Sequence, residues 1–247
     1  MAARWLYEFR PPTGTCALVC LPYAGGSASI FDTWQRQTSV LDIVAVQLPG
    51  RANRIAEPPL VSLAEMVDRL TTELAGLGRD YALFGHSMGA LVAFELARRI
   101  RDDGLDGPRA LFVSAYPAPD LPIPPPVYNL PRPELIRWLV DNGGLDIDVA
   151  QHDELMDVLL PALRADLAVA DTYAYRSAPS LPWPIRVFLG AEDPSCTLAD
   201  VGGWHRQSTR GCEVDVLPGD HFYLHDQAAL LVELIERDLV TRGGIRA

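Results

Sequence analysis

Residues 85–89 read Gly-His-Ser-Met-Gly, with an apolar run in front (YALF, 81–84) and small and apolar residues at helical spacing behind. A serine between two glycines at an abrupt strand-to-helix turn is a nucleophile elbow. The turn is so tight that glycines must flank the serine, and the geometry lifts its hydroxyl above the sheet edge. The helix starting there adds a dipole that favours developing negative charge. Ser87 is therefore the candidate nucleophile.

A serine hydroxyl attacks a carbonyl only when a base removes its proton, and that base needs a carboxylate to orient it. After such an elbow the acid and then the histidine follow in chain order, each in a loop after a strand. The run IRVFLG (185–190) leads into Glu192 and Asp193, and VDVLPGDHFYLH (214–225) supplies His221. Asp193 precedes Pro194, which stiffens its turn, so it is preferred to Glu192 and Asp200. Asp220 adjoins His221, and neighbouring side chains diverge. Of the other histidines, His225 lies past the loop, His152 falls between residues 118 and 181, outside the sheet rhythm, His205 sits on a short helix, and the elbow turns His86 away from the serine. The tetrahedral intermediate needs two N–H donors. One is Met88, directly after the nucleophile. The other belongs to the loop PYAGGSA (22–28), where two glycines let the backbone approach substrate and Ala24 is the candidate donor.

The elements that must position these groups alternate. TCALVCLPYAGG (15–26) and DIVAVQLPGR (42–51) are apolar runs closed by turn residues, as expected of strands covered on both faces. Leu63, Met66, Val67, Leu70, Leu74 and Leu77 form a helical stripe, opened by a Ser62/Glu65 capping box and ended by Gly78. Strand, helix and strand follow through YALFGHS, MGALVAFELARRIRDD and RALFVSAYP. This rhythm predicts βαβ units and a parallel sheet. It breaks where eight prolines crowd residues 117–133, too many for a strand or helix interior. Two helical patterns follow, 133–144 and 153–175, the second interrupted by Pro161. The sheet rhythm then resumes at 185, passes a short helix near Trp204 and the run 212–219, and ends in a helix from about Gln227. Residues 1–117 and 182–247 are thus expected to form the core, with 118–181 a helical insertion.

The composition of the 247 residues, 49% hydrophobic and 21% charged, is that of a soluble globular chain. No run reaches the length of a membrane span and the N-terminus lacks an apolar leader, so the expected location is the cytoplasm. A net charge of −11 without any basic cluster argues against a nucleic-acid partner. The four cysteines (16, 20, 196 and 212) lack zinc-site spacing. They read as reduced, buried, small apolar residues, with Cys16 and Cys20 on one strand face but too far apart to bond.

LPYAGGSA, QLPGR, GHSMGALVAFELARR, FLGAEDP, Trp204 and LPGDHFYLH together resemble the type II thioesterases, stand-alone α/β-hydrolases that accompany polyketide and nonribosomal peptide synthases. The resemblance runs from about Cys16 to His225. It implies a mostly parallel sheet flanked by helices with a lid over 118–181, and hydrolysis of acyl groups from the phosphopantetheine arm of an acyl or peptidyl carrier protein. It places nucleophile, acid and base on Ser87, Asp193 and His221 and the oxyanion donors on Ala24 and Met88, with no metal or cofactor. The chain departs from the family at Tyr23, where histidine is common, and at Ala52, where an acidic residue is common. Arg51 and Arg54 are retained, to hold loops together, meet substrate or lie in solvent. Trp138 and Met156 either line an acyl channel together with Tyr23 or pack in the lid's core. Hydrolysis of small esters, acyl transfer or cyclisation, and a non-catalytic binding role are the alternatives, and a monomer is expected.

Overall fold

The computed structural model describes residues 5–13 and 16–241. Thr15, at the start of the first apolar run, and the chain ends 1–4 and 242–247 lie outside them. Seven strands form one sheet: β1 (Leu6–Glu8), β2 (Cys16–Leu21), β3 (Leu41–Val46), β4 (Tyr81–His86), β5 (Leu111–Ser114), β6 (Ile185–Gly190) and β7 (Cys212–Leu217). Their order is β1-β3-β2-β4-β5-β6-β7. Only β1 runs antiparallel, against β3, while β2 to β7 are parallel to their neighbours. The sequence rhythm did not announce β1, whose three residues are too few to carry a pattern.

The apolar runs are continuous because both sheet faces are covered. Along β2, Ala17, Val19 and Leu21 enter one core, while Cys16, Leu18 and Cys20 enter the other. Helices α2 (Leu63–Ala75) and α3 (Met88–Asp102) supply side chains to the first; α1 (Asp32–Gln35) and α8 (Ala228–Thr241) supply the second. The four cysteines are free, and only Cys212 is more than marginally exposed. Ser62 caps α2 by accepting the Glu65 N–H, although the helix stops at Ala75, before the left-handed Gly78.

Between β5 and β6 the chain builds a smaller helical layer of α4 (Arg132–Asp141), α5 (Ile147–Ala150) and α6 (Asp153–Asp171). Its own core joins Leu135, Leu139, Met156, Leu160, Leu163 and Leu167. Contrary to the sequence reading, Pro161 does not interrupt α6. Proline removes one N–H and crowds the preceding turn. Here Pro161 and Asp157, whose carbonyl loses its partner, both face water, so solvent replaces the missing bond. After β6 come α7 (Leu198–Val201) and a 3-10 turn over Gly202–Gln207 that buries Trp204.

One feature of the topology locates the site. β3 lies on one side of β2 and β4 on the other, so the connections leaving β2 and β4 diverge at their carboxyl ends. Parallel sheets bind ligands in the crevice outside such a switch point.

Candidate active site

The register brings the chemistry to that crevice. Leu21 is opposite Gly85 on β2 and β4, and His86 is opposite Ser114 on β4 and β5. Ser87 therefore follows directly on the rim, beside the Pro22–Gly26 loop. Asp193 lies just past the end of β6 and His221 just past the end of β7. Ser87 has φ 54° and ψ −122°, a conformation that costs a residue with a side chain about 1–3 kcal/mol. Its N–H donates to Ser114 O at 2.8 Å and its carbonyl accepts Ala90 N–H at 2.9 Å, which hold the turn in place.

The flanking glycines are required by contact. A Cβ on Gly85 would lie 2.2 Å from Gly89 O, and one on Gly89 would lie 2.2 Å from Leu21 O and 2.6 Å from Pro22 O. The first turn of α3 is thus pressed against the exit of β2. Gly89→Ala should push the two apart, costing about 1–3 kcal/mol of stability. The melting midpoint should fall by roughly 3–10 °C, and turnover should drop further than the lost folded fraction explains. Melting curves and rates on the same sample check this.

That close approach brings the start of α3 to the loop that carries Ala24. Among the described residues no acceptor takes the N–H of Ala24 or of Met88, whereas Gly26 N–H donates to Tyr23 O at 2.9 Å and Gly25 N–H to Asp166 Oδ2 at 2.7 Å. Two unengaged N–H groups on the loops that meet at the elbow have the donor chemistry an oxyanion hole requires.

His221 Nδ1–H donates to Asp193 Oδ2 at 2.7 Å. A carboxylate only accepts, so this bond fixes the tautomer and leaves Nε2 with a free lone pair. The Asp193 side chain is fully buried, and its Oδ1 accepts Ser195 N–H at 2.8 Å and Ser195 Oγ–H at 2.6 Å. Burial pushes the Asp193 carboxyl up, but the His221 bond and charge and the two Ser195 donors outweigh it and hold the group below the ordinary carboxylate range. Ser195, whose Oγ also lies 3.0 Å from His221 Nδ1, was missed in the sequence. The Asp-Pro-Ser run could have signalled it, since an aspartate commonly accepts the N–H two residues on.

The rival residues lie or bond elsewhere. Glu192 accepts Gly219 N–H at 2.5 Å. Asp200 caps α7 through Thr197, and Asp220 accepts Phe222 N–H at 2.8 Å. His152 is the residue before α6, His205 bonds Gly202 O, and His225 Nε2 bonds the Tyr23 hydroxyl at 3.0 Å. His86 lies wholly buried under the elbow, its ring centroid 5.3 Å from that of His221. His221 is thereby set against the residue next to Ser87. A hydrogen-bonded chain runs from His86 Nδ1 to Ser114 Oγ (2.8 Å) and on to the Tyr223 hydroxyl (2.5 Å). Burial first, and then the nearby His221, hold the His86 pKa well below the usual histidine value.

A cleft of about 290 Å³ opens beside this centre, lined by Tyr23, Ala24, Gly25, Arg51, Leu159 and Leu163 among others. Ile55 and Val158, each about half exposed, stand at its wall. Trp138 and Met156 are absent from it. Met156 is 0% exposed inside the helical layer's core, in one cluster with Leu160 and Leu167, and Trp138 packs at the edge of that core. A larger groove of about 1150 Å³ lies at the opposite, amino-terminal rim of the strands. It contains none of these groups, and its Arg109 is paired with Asp80.

The profile of the family described as "Thioesterase domain" matches residues 17–239. The gramicidin S biosynthesis protein GrsT of Aneurinibacillus migulanus is 39% identical over 225 residues, covering 90% of this chain and 88% of that one. Thioesterase PikA5 of Streptomyces venezuelae is 36% identical over 244 residues, covering 97% and 87%. Among solved structures, the type II thioesterase BorB from the borrelidin biosynthetic cluster superimposes with a TM-score of 0.86 at 38% identity, covering 95% of this chain and 97% of that one.

Proposed function

The chain belongs to the thioesterase family, and from that premise we propose that Ser87, His221 and Asp193 hydrolyse an acyl thioester carried on the phosphopantetheine arm of a carrier protein. Ser87 Oγ attacks the thioester carbonyl while His221 Nε2 takes its proton. The oxygen that becomes negative is met by the N–H groups of Ala24 and Met88. Collapse of the tetrahedral intermediate breaks the C–S bond, and His221 returns the proton to the leaving thiol. Water, deprotonated by His221, then attacks the acyl-serine carbonyl; the bond to Ser87 Oγ breaks, His221 returns the proton to that oxygen, and the carboxylic acid leaves. Asp193 keeps Nδ1 protonated throughout and stabilises the imidazolium.

The observation that carries this reading is the bond from buried Asp193 to His221, with the His221 ring lying against the residue next to the elbow. The type II relatives point to editing or release in polyketide or nonribosomal peptide biosynthesis. In this reading residues 118–181 form a lid on a core of 1–117 and 182–247, and the cleft beside Tyr23 receives the acyl group, while Trp138 and Met156 pack in the lid's own core. No helix among the described residues is long and apolar enough to cross a membrane. A net charge of −11 disfavours nucleic acid. We further infer a cytoplasmic monomer that needs no cofactor.

Turnover of an acyl-carrier protein should exceed that of a simple ester with the same acyl group by at least about 10²-fold in kcat/KM, because remote contacts to the carrier and its arm contribute to transition-state binding. Equal kcat/KM for the two substrates would replace this reading with a small-ester esterase.

A further inference from the structure

Asp166 lies on α6, in the helical layer, and is 0% exposed. Its carboxylate nevertheless serves the sheet's loops. Oδ2 accepts Gly25 N–H at 2.7 Å, and both oxygens take the Arg51 guanidinium, with Nη2 at 2.8 Å from Oδ1. Arg51 is itself only 5% exposed. Its Nη1 also donates to Gly26 O at 3.2 Å, and Nε and Nη2 donate to Pro49 O at 3.3 Å each. The guanidinium's donors are therefore all engaged, and the fork ties the loop after β2, the loop after β3 and the lid helix to one point.

A buried ion pair of this kind adds little stability compared with an apolar pair of the same shape. What it does supply is geometry. The Gly25 amide belongs to the peptide plane that follows Ala24, and Gly25 has φ 79°. Gly-Gly backbone is permissive and samples many conformations unless held. Leu163, one turn before Asp166 on α6, closes on the same residue: a Cβ on Gly25 would lie 2.4 Å from its Cδ2. The lid helix thus grips Gly25 by packing and by charge, on the residue next to the amide offered to the oxyanion.

We propose that Asp166 is a positioning residue for the oxyanion loop, and that the hydrolase is competent only while α6 is seated with Asp166 on Gly25 N–H. Arg51 is the counter-ion that keeps the carboxylate charged and aimed. The inference rests on Ala24 serving as an oxyanion donor.

The test uses Asp166→Asn and the double replacement Arg51→Met/Asp166→Leu, with three readouts: kcat and KM for an acyl-pantetheine thioester, affinity for an acyl trifluoromethyl ketone, and affinity for the amide-linked analogue. The ketone forms a tetrahedral oxyanion on the serine and the amide mimics the ground state. Asp166→Asn should lower kcat by about 10²-fold, the scale of a misplaced catalytic group, with KM and amide affinity changed by less than about threefold. Ketone affinity should fall in step with kcat/KM. The double variant should melt near the wild-type temperature and stay slow. A folded variant of either kind with wild-type kcat, or equal losses toward ketone and amide, would overturn the inference. In the wild-type chain the Gly25 amide should exchange slowly with solvent; free exchange there overturns the inference whatever the variants do. Wild-type turnover in Asp166→Asn alongside a dead Ser87→Ala control would sink only this inference, while turnover surviving in Ser87→Ala would sink the reading beneath it.

Discussion

Ser87→Ala should lower turnover of an acyl-carrier thioester by about 10⁶-fold, the loss typical when the nucleophile of an interdependent triad is deleted. Covalent labelling by a fluorophosphonate should vanish with it. No neighbouring group can substitute. Ser114 is wholly buried and hydrogen-bonded to His86 and Tyr223, Ser195 donates its hydroxyl to Asp193 on the Nδ1 side of His221, and Cys196, also buried, has its thiol pushed up to about 12 by burial and by the charges of Asp193 and Asp200. Alanine inherits the φ of 54° at position 87, so melting should move little, and the loss cannot be assigned to unfolding. A variant retaining turnover within tenfold of wild type (an estimate generous to residual oxyanion-hole catalysis) refutes the proposed nucleophile.

The second large effect is expected at Asp193. Asparagine has the same shape, but with its oxygen kept on the two Ser195 donors it turns an N–H₂ toward Nδ1 and favours the wrong histidine tautomer, while the opposite turn sets that N–H₂ against the Ser195 N–H. With Nε2 protonated, His221 cannot take the serine's proton. Asp193→Asn should therefore cost about 10³–10⁴-fold in kcat with little change in KM. The lower bound allows for Ser195, whose hydroxyl lies within reach of Nδ1 and is freed to accept from it. The same substitution tests the electrostatics. The Asp193 carboxyl is held below its ordinary range, so its stabilising contribution is complete at neutral pH and disappears as pH falls through that depressed value. Asp193→Asn should flatten this acid-side loss in melting experiments. A further part belongs to His86, which burial and the neighbouring His221 keep neutral. The unfolded chain takes up a proton on that residue as pH drops below the usual histidine range, and folding weakens accordingly.

What could be read from the sequence was whatever is encoded locally. The elbow is legible because Gly85 and Gly89 answer steric demands within a few residues of Ser87. Asp193 and His221 are legible because strands announce themselves and the useful residues follow directly after them. The sequence was silent where partners are distant or patterns too short. Arg51 and Asp166 stand 115 residues apart, and a charged residue in an amphipathic helix reads as solvent-facing until the helix is placed. Arg54, left open in the sequence, is buried against the Trp5 ring and donates to Gln47 O at 2.7 Å. Pro161 misleads for the opposite reason, since its rule concerns the backbone alone and ignores that the broken turn faces water.

The Arg51–Asp166 clamp bears on how such proteins can be re-engineered for new acyl groups. A helical layer that lends a carboxylate to the scaffold beneath it is not an interchangeable cassette. A transplant without a carboxylate at the position of Asp166 would leave Arg51 stranded without its anion. Exchange of specificity should proceed by changing the apolar residues around the cleft while keeping that carboxylate and the two loops it binds as a single inherited unit.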